Sequence, residues 1–326
     1  MSTNFTGIAE EIVAPDEAAV TSEFIAFLKA ASIRRAPHGP LRRFNQGRAA
    51  GCVEAEFTVN EGLAAALRIG VFAQPRTYRA LIRFASASSA TDRERDVRGM
   101  SIALWDVPGG NLTPGQTRQD FVLNSHPVMM VPDARAFLAL LRANEAGGLR
   151  RILYFLSHPR AARIAAASRQ HPASHLDISY WGATPYLFGP GRAVKYKAKP
   201  CSSYSSALPR QLGDGYLRDA LIAHLERADA CFDFMIQLQT DGRRMPIEDA
   251  TIEWKEEESP FVVAARIRIP RQRIDDPNRA QACEDVAFNP WNCLAEHRPL
   301  GNMNRARREI YQALSDFRRA RLAAGT

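Results

Sequence analysis

The sequence predicts an α+β fold, a closed antiparallel β-barrel of about eight strands with surrounding helices, made by residues 1–326 as a single domain. Three observations carry this prediction. Seven segments alternate apolar and polar residues with a period of two, which places one face of each strand in a dry interior. So many one-sided strands in one chain favour closure, because a closed sheet leaves no edge exposed. Helical periods recur between the strands and supply the outer layer.

The elements follow in order. From Glu17 to Ala31 the residues Ala18, Val20, Phe24, Ile25, Phe27 and Leu28 recur at helical spacing. In CVEAEFTV, Val53, Ala55, Phe57 and Val59 alternate with Glu54, Glu56 and Thr58, which reads as the first strand. The same alternation returns in ALIRFASAS (80–88), RGMSIALWDV (98–107), DFVLNSHPV (120–128), AVKYKAKP (193–200), CFDFMIQLQT (231–240) and FVVAARIRIP (261–270). Pro132-Asp133 opens a helix, residues 149–169 form a basic pair of turns, and Asp219–Ala230 forms another helix. Residues 271–302 are rich in proline and asparagine and read as a long wrapping loop, which leads into a final helix from Met303 to Leu322.

Composition narrows the function classes. The 326 residues are 46% hydrophobic and 24% charged, enough to bury a sizeable core. The net charge of +8 is spread through the chain instead of forming a basic block, so nucleic-acid binding is not expected. The five cysteines (52, 201, 231, 283, 293) form no CxxC and leave an odd one, which argues against a disulfide framework and a structural zinc site and fits a reducing cytoplasm. The opening MSTNFTGIAEEIVAPDE lacks a basic start and an apolar core, and no apolar run approaches the ~20 residues that span a bilayer. A soluble, untargeted, cytoplasmic protein with no integral membrane segment is expected, with a homodimer left open.

The sharpest local signal lies in NRARREIYQALSDFRRARLAAG, where Arg307, Tyr311 and Arg318 stand at i, i+4 and i+11. At about 100° per residue all three fall within about 40° of one another. One stripe therefore holds a phenol between two guanidiniums. A phenol becomes a useful metal ligand when ionised, and a neighbouring guanidinium favours the phenolate. Tyrosinate is a recognised axial ligand of haem iron.

Four separated blocks resemble the haem catalases. Arg307-x-x-x-Tyr311 resembles their proximal motif, implying Tyr311 as axial iron ligand with Arg307 bonded to it, and Arg318 matches an arginine that reaches a haem propionate. RFASASSATDRERDVRGMSIALW (83–105) resembles the block whose first arginine, here Arg83, also serves the propionates. QDFVLNSHPVMMV (119–131) is similar to the block in which Asn124 would line the distal side of the haem, and Phe137 matches an aromatic packed on that face. Arg43, followed by GCVEAEF, resembles the segment with the third propionate-binding arginine. The stretches YWGATPYLFGPGRAVKYK (180–197) and FNPWNCLAEHRPLGNMNRAR (288–307) bring the resemblance nearest to the short catalase-related group of allene oxide synthases and small haem peroxidases.

The resemblance implies one haem b and a small-molecule peroxide or hydroperoxide as substrate. It also exposes a departure. Three residues after Arg43, where the family has its distal histidine, stands Gln46. Histidine can take a proton from peroxide and return it, whereas glutamine has no titrating group near neutral pH. Ordinary hydrogen peroxide dismutation is therefore expected to be weak. His126, two residues after Asn124 in a strand, is a candidate replacement base. The expected function is conversion of an organic hydroperoxide, with a peroxide-driven oxygenase of small-molecule biosynthesis or a non-enzymatic haem sensor as alternatives.

Overall fold

The computed structural model describes residues 7–37, 41, 43–87 and 90–323. Helix α1 (Glu17–Arg35) precedes four strands, β1 (Arg48–Val59), β2 (Thr77–Ser86), β3 (Arg98–Leu104) and β4 (Gln119–Asn124). Three helices follow, α2 (Ala134–Ala146), α3 (Gly148–Ser157) and α4 (Pro159–Ser168). Then come β5 (Tyr180–Trp181), β6 (Tyr186–Leu187), β7 (Ala193–Pro200), α5 (Tyr216–Arg227), β8 (Ala230–Leu238), β9 (Val262–Ile269), α6 (Pro277–Asp285) and α7 (Asn302–Ala323).

The strands run β5-β4-β3-β2-β1-β9-β8-β7, and β5 also pairs with β7, so eight antiparallel strands close into a barrel. The two-residue β6 adds to β7 as a ninth. The seven alternating segments of the sequence are seven of these eight strands. The eighth, β5, is too short to show a period, and only the pairing of Tyr180 with Ala198 and of Trp181 with Lys197 reveals it.

Alternation does what the sequence requires. Val53, Ala55, Phe57 and Val59 point inward, as do Ile82, Phe84, Met100, Ile102, Phe121 and Phe234. Aromatic rings fill the interior: Phe234 lies 5.1 Å from Phe57 and 4.7 Å from Phe121 between centroids, distances at which tilted pairs attract beyond their area burial. The intervening residues Arg83, Gly99, Ser101, Val122 and Asn124 consequently face out of the barrel.

Two sequence expectations need correction. The segment 271–302 is not a plain loop but contains α6, whose PNRAQACED carries no apolar stripe to announce a helix. Beyond α6 the loop is fastened by Asp120, a fully buried carboxylate. It accepts bonds from Arg118 (2.9 Å), the Asn289 N–H (2.9 Å) and Asn292 Nδ2 (3.0 Å), while burial lifts its pKa to about 6. The cysteines are also paired, Cys52 with Cys283 and Cys201 with Cys231 as disulfides, leaving Cys293 buried and free. The Cα separations, 6.2 and 5.2 Å, suit such bonds. Spacing could not show a pair 231 residues apart in sequence, and the inference of a reducing compartment loses its basis.

Outside the barrel, α1 packs along α7, and α2 touches both through Phe24, Leu28, Ala134, Leu138, Ala306 and Ile310. Asp133 caps α2 by accepting the Ala136 N–H at 2.8 Å, as the Pro132-Asp133 signal implied. Among the described residues no helix is long and apolar enough to cross a membrane.

Candidate functional site

The outward face of β1–β4 forms one wall of the site. Cross-strand pairing sets Arg83 of β2 opposite Ser101 of β3, and one step along sets Ala85, Gly99 and Asn124 in a row. Arg83 and Asn124 thus occupy adjacent rows of one face. Gln46 arrives on this wall from the segment before β1. Its N–H donates to Ala87 O (3.2 Å), and its carbonyl accepts from Arg83 Nη1 (2.9 Å). The Gln46 carboxamide lies on Gly99, where a Cβ would collide with it. Gln46 has φ of 56°, a left-handed conformation that costs a non-glycine residue energy and that its two backbone bonds hold. Its Oε1 is buried without a hydrogen-bond partner among the described residues.

Helix α7 carries the facing residues. Its first turn is clamped by Asn304, which is fully buried. Asn304 Nδ2 donates to Pro185 O (2.9 Å) and Leu300 O (3.0 Å), and its Oδ1 accepts from Thr184 and Arg307, both at 3.1 Å. Arg307 Nη1 also reaches Thr184 Oγ1 at 3.3 Å. Tyr311, one turn on, is partly buried, and both residues act on Tyr186 of β6. Burial pushes that phenol to about 12, Arg307 opposes the rise and Tyr311 adds to it. The resemblance implied a bond from Arg307 to Tyr311; in the structure the Arg307 guanidinium donates to Thr184 and Asn304.

Two turns further, Arg318 lies close enough to Arg43 and Arg83 for their charges to repel. Arg83 is 2% exposed, and its pKa falls to about 10, first through burial and next through repulsion from Arg43, with Arg318 adding to it. Arg318 is lowered in the same way, by burial and then by Arg43. Three arginines far apart in sequence therefore form one cationic cluster. Glu284 of α6 answers two of them: Oε2 lies 3.1 Å from Arg43 Nε, and Oε1 lies 3.0 Å from Arg83 Nε. Burial works against the Glu284 carboxylate, but Arg83 and Arg43 hold it below the usual range. Arg83 Nη2 is 2.9 Å from the same Oε1, yet it is poorly aligned and forms no hydrogen bond.

The remaining sequence-derived candidates fall in two places. Phe137 packs edge-on against Phe24 at 5.7 Å, in the layer shared by α1, α2 and α7. Asn124 Oδ1 accepts the His126 N–H at 2.9 Å, forming a turn at the end of β4. His126 lines an open cleft of about 570 Å³ with Arg160, Arg163 and Glu253, a cleft whose lining includes neither Gln46 nor the three arginines. Burial lowers its pKa. His126 thus shares a cleft with Arg160, Arg163 and Glu253, and its link toward the Gln46–Gly99 wall is the backbone bond to Asn124.

Sequence reasoning missed Gly99, Thr184, Asn304 and Glu284. Asn304 stands at i−3 from Arg307 on the same stripe and could have been found there. Glu284 gave no signal, since it lies in a polar segment read as loop.

No family model matches this sequence, and no curated protein matches it. Solved structures do. A fungal catalase superposes with a TM-score of 0.70 at 14% identity, over 98% of this chain and 66% of that one. A bacterial catalase gives 0.67 at 15% identity, over 97% and 63%. Catalase A from Saccharomyces cerevisiae gives 0.68 at 17% identity, over 98% and 68%. The chain spans about two thirds of the length of these catalases, and its fold is theirs.

Proposed function

We propose that this chain is a haem b enzyme that converts an organic hydroperoxide or a related oxidised small molecule, with little hydrogen peroxide dismutation. The observation that carries the reading is the α7 stripe. At one end Arg307 and Tyr311 stand together, about 10 Å further along the helix Arg318 joins Arg43 and Arg83, and the Gln46–Gly99 wall belongs to the same site.

The residues fit the cofactor. A porphyrin with two propionates needs forked cationic donors, and the buried Arg83 fork already faces a carboxylate, with Glu284 Oε1 3.0 Å from Nε and 2.9 Å from Nη2. In this reading Tyr311 would ligate the iron as phenolate, Arg307 would place a positive charge one turn away, and Arg43, Arg83 and Arg318 would hold the propionates. Haem bound there supplies an iron at which an O–O bond can be polarised or cleaved.

The chain's own groups select the substrate. Gln46 can donate from Nε2 and accept at Oε1, so it orients a polar head group but carries no proton to hydrogen peroxide. An organic hydroperoxide whose departing oxygen already leaves readily needs that transfer less. Asn124, in the row of Gly99, adds a second carboxamide with its Nδ2 still available for donation, and Phe137 backs the pocket from the helical layer.

The test is reconstitution with haem b, followed by oxygen release from hydrogen peroxide and consumption of a fatty-acid hydroperoxide. Rapid turnover of the second with little of the first is expected. Tyr311→Phe should abolish tight haem binding or convert the ferric spectrum to a non-phenolate form; an unchanged spectrum overturns the ligand assignment.

A further inference from the structure

The three-arginine cluster is already occupied by part of the chain itself. Besides the Glu284 carboxylate, Arg43 Nη2 donates to Glu284 O (3.0 Å), Val286 O (3.0 Å) and Cys283 O (3.4 Å). The hydrogen bonds of the Arg43 side chain to described residues therefore all end on residues 283–286. Arg43 caps the C-terminal end of α6, where exposed carbonyls attract a cation, and it cannot also grip an external carboxylate in that geometry. Arg83 is less committed. Its Nε goes to Glu284 and its Nη1 to Gln46 O, but Nη2 lacks an aligned acceptor although the side chain is only 2% exposed.

We propose that Glu284 is a displaceable internal occupant of this anion site, holding the place that a ligand carboxylate takes, and that the end of α6 must release Arg43 for a dicarboxylate ligand to load. The ligand class is a planar hydrophobic molecule with two carboxylates, so the inference rests on the haem reading and adds to it a step that controls loading. Three facts support displacement over permanent membership of the site. The Glu284 side chain is 42% exposed while its partner Arg83 is 2% exposed, so the carboxylate sits at the mouth and the guanidinium at the base. Two carboxylates, Glu284 and Asp285, act on the three guanidiniums, and only Glu284 acts on Arg83, leaving the cluster short of negative charge. The neighbouring Cys283 is bonded to Cys52 on β1, which keeps Glu284 close when no ligand is present and makes it an effective competitor through high local concentration.

Competition has a stated consequence. If the occupied form holds about nine molecules in ten, apparent ligand affinity is lowered about tenfold, because only the open fraction binds. Glu284→Gln keeps the shape and removes the charge. Haemin titration of the apo-protein, followed at its visible absorption, should then show roughly tenfold tighter binding, and metal-free protoporphyrin IX should gain in the same proportion, since it carries the carboxylates without the iron.

The outcomes separate. Equal or weaker binding of both porphyrins by Glu284→Gln means that Glu284 stays in the site beside the ligand, and the inference fails. If neither porphyrin binds even the wild-type chain, the haem reading fails. The Glu284 inference is then decided by inorganic sulfate, whose protection against urea unfolding should strengthen in the variant; unchanged protection overturns it. Should Glu284→Gln fold poorly, Glu284→Asp retains the charge on a shorter arm and should bind porphyrin more tightly than wild type, and no gain overturns the proposal.

Discussion

Replacing Arg83 by methionine separates a residue kept for ligand binding from one kept for stability. Arg83 lies on β2 at 2% exposure, with its pKa driven from the ordinary 12.5 to about 10. That fall corresponds to roughly 3 kcal/mol against the charged form in the folded chain, at about 1.4 kcal/mol for each tenfold change in proton affinity. Burial is the main cause, Arg43 the next, and the attraction of Glu284 only partly offsets them. The sign is fixed: both folded and unfolded chains keep Arg83 protonated below pH 10, so this cost is constant across neutral pH and lifts only as pH rises through about 10. Methionine removes the charge and keeps an unbranched stem. The variant loses the bond to Gln46 O, about 1 kcal/mol, while Glu284 retains Arg43. The apo-protein should be between equally stable and about 2 kcal/mol more stable, because the remaining Glu284, 42% exposed and still paired with Arg43, is not left as an uncompensated buried charge. Haem retention should collapse. The assay is the urea midpoint of the apo-proteins at unchanged slope, paired with the rate of haemin loss to a scavenger. An apo-protein weakened by more than about 2 kcal/mol, or haemin retained as in wild type, refutes the reasoning.

Other expectations follow from single contacts. Gln46→His should raise oxygen evolution from hydrogen peroxide about 10²-fold or more and divert haem from the organic substrate; histidine tolerates the left-handed backbone at this position better than most residues, and an equal rate at full haem occupancy would show that Gln46 is not the distal residue. Gly70→Ala should cost about 2–4 kcal/mol or prevent folding, because φ is 54° and the added Cβ collides with the fully buried His297 ring, whose Nε2 accepts the Val71 N–H at 3.1 Å; a urea midpoint like that of wild type would contradict it. Glu17 is held at about 2: burial opposes ionisation, but hydrogen bonds from Arg305 outweigh it. Its folded pKa lies below its unfolded one, so its contribution, cut by solvent screening to about 1–2 kcal/mol, is present above pH 4.5 and lost as pH falls through about 2. Arg305→Met should flatten the acid limb of a pH–stability curve in that window, and an unaltered limb would exclude the pair as its source.

The barrel and its helices were legible from sequence because periodicity is a local consequence of burial. A strand with one dry face must alternate, and seven of eight strands did so over enough residues to be seen. The stripe of Arg307, Tyr311 and Arg318 was legible for the same reason, since helical spacing alone puts them together. Gln46 stood out only because a motif set the place where it occurs.

Tertiary structure alone decided what depends on contacts between distant segments. It closed the barrel through Tyr180 and Trp181, two residues that no periodicity can mark. It joined Cys52 to Cys283 across 231 positions, where counting cysteines pointed the other way. It ended β4 at Asn124, so that strand alternation does not reach His126, whose side chain lines a cleft with Arg160 and Glu253. And it brought Glu284, a carboxylate in a polar segment with no pattern of its own, onto Arg43 and Arg83, because like charges buried together draw in whatever counterion the chain can supply.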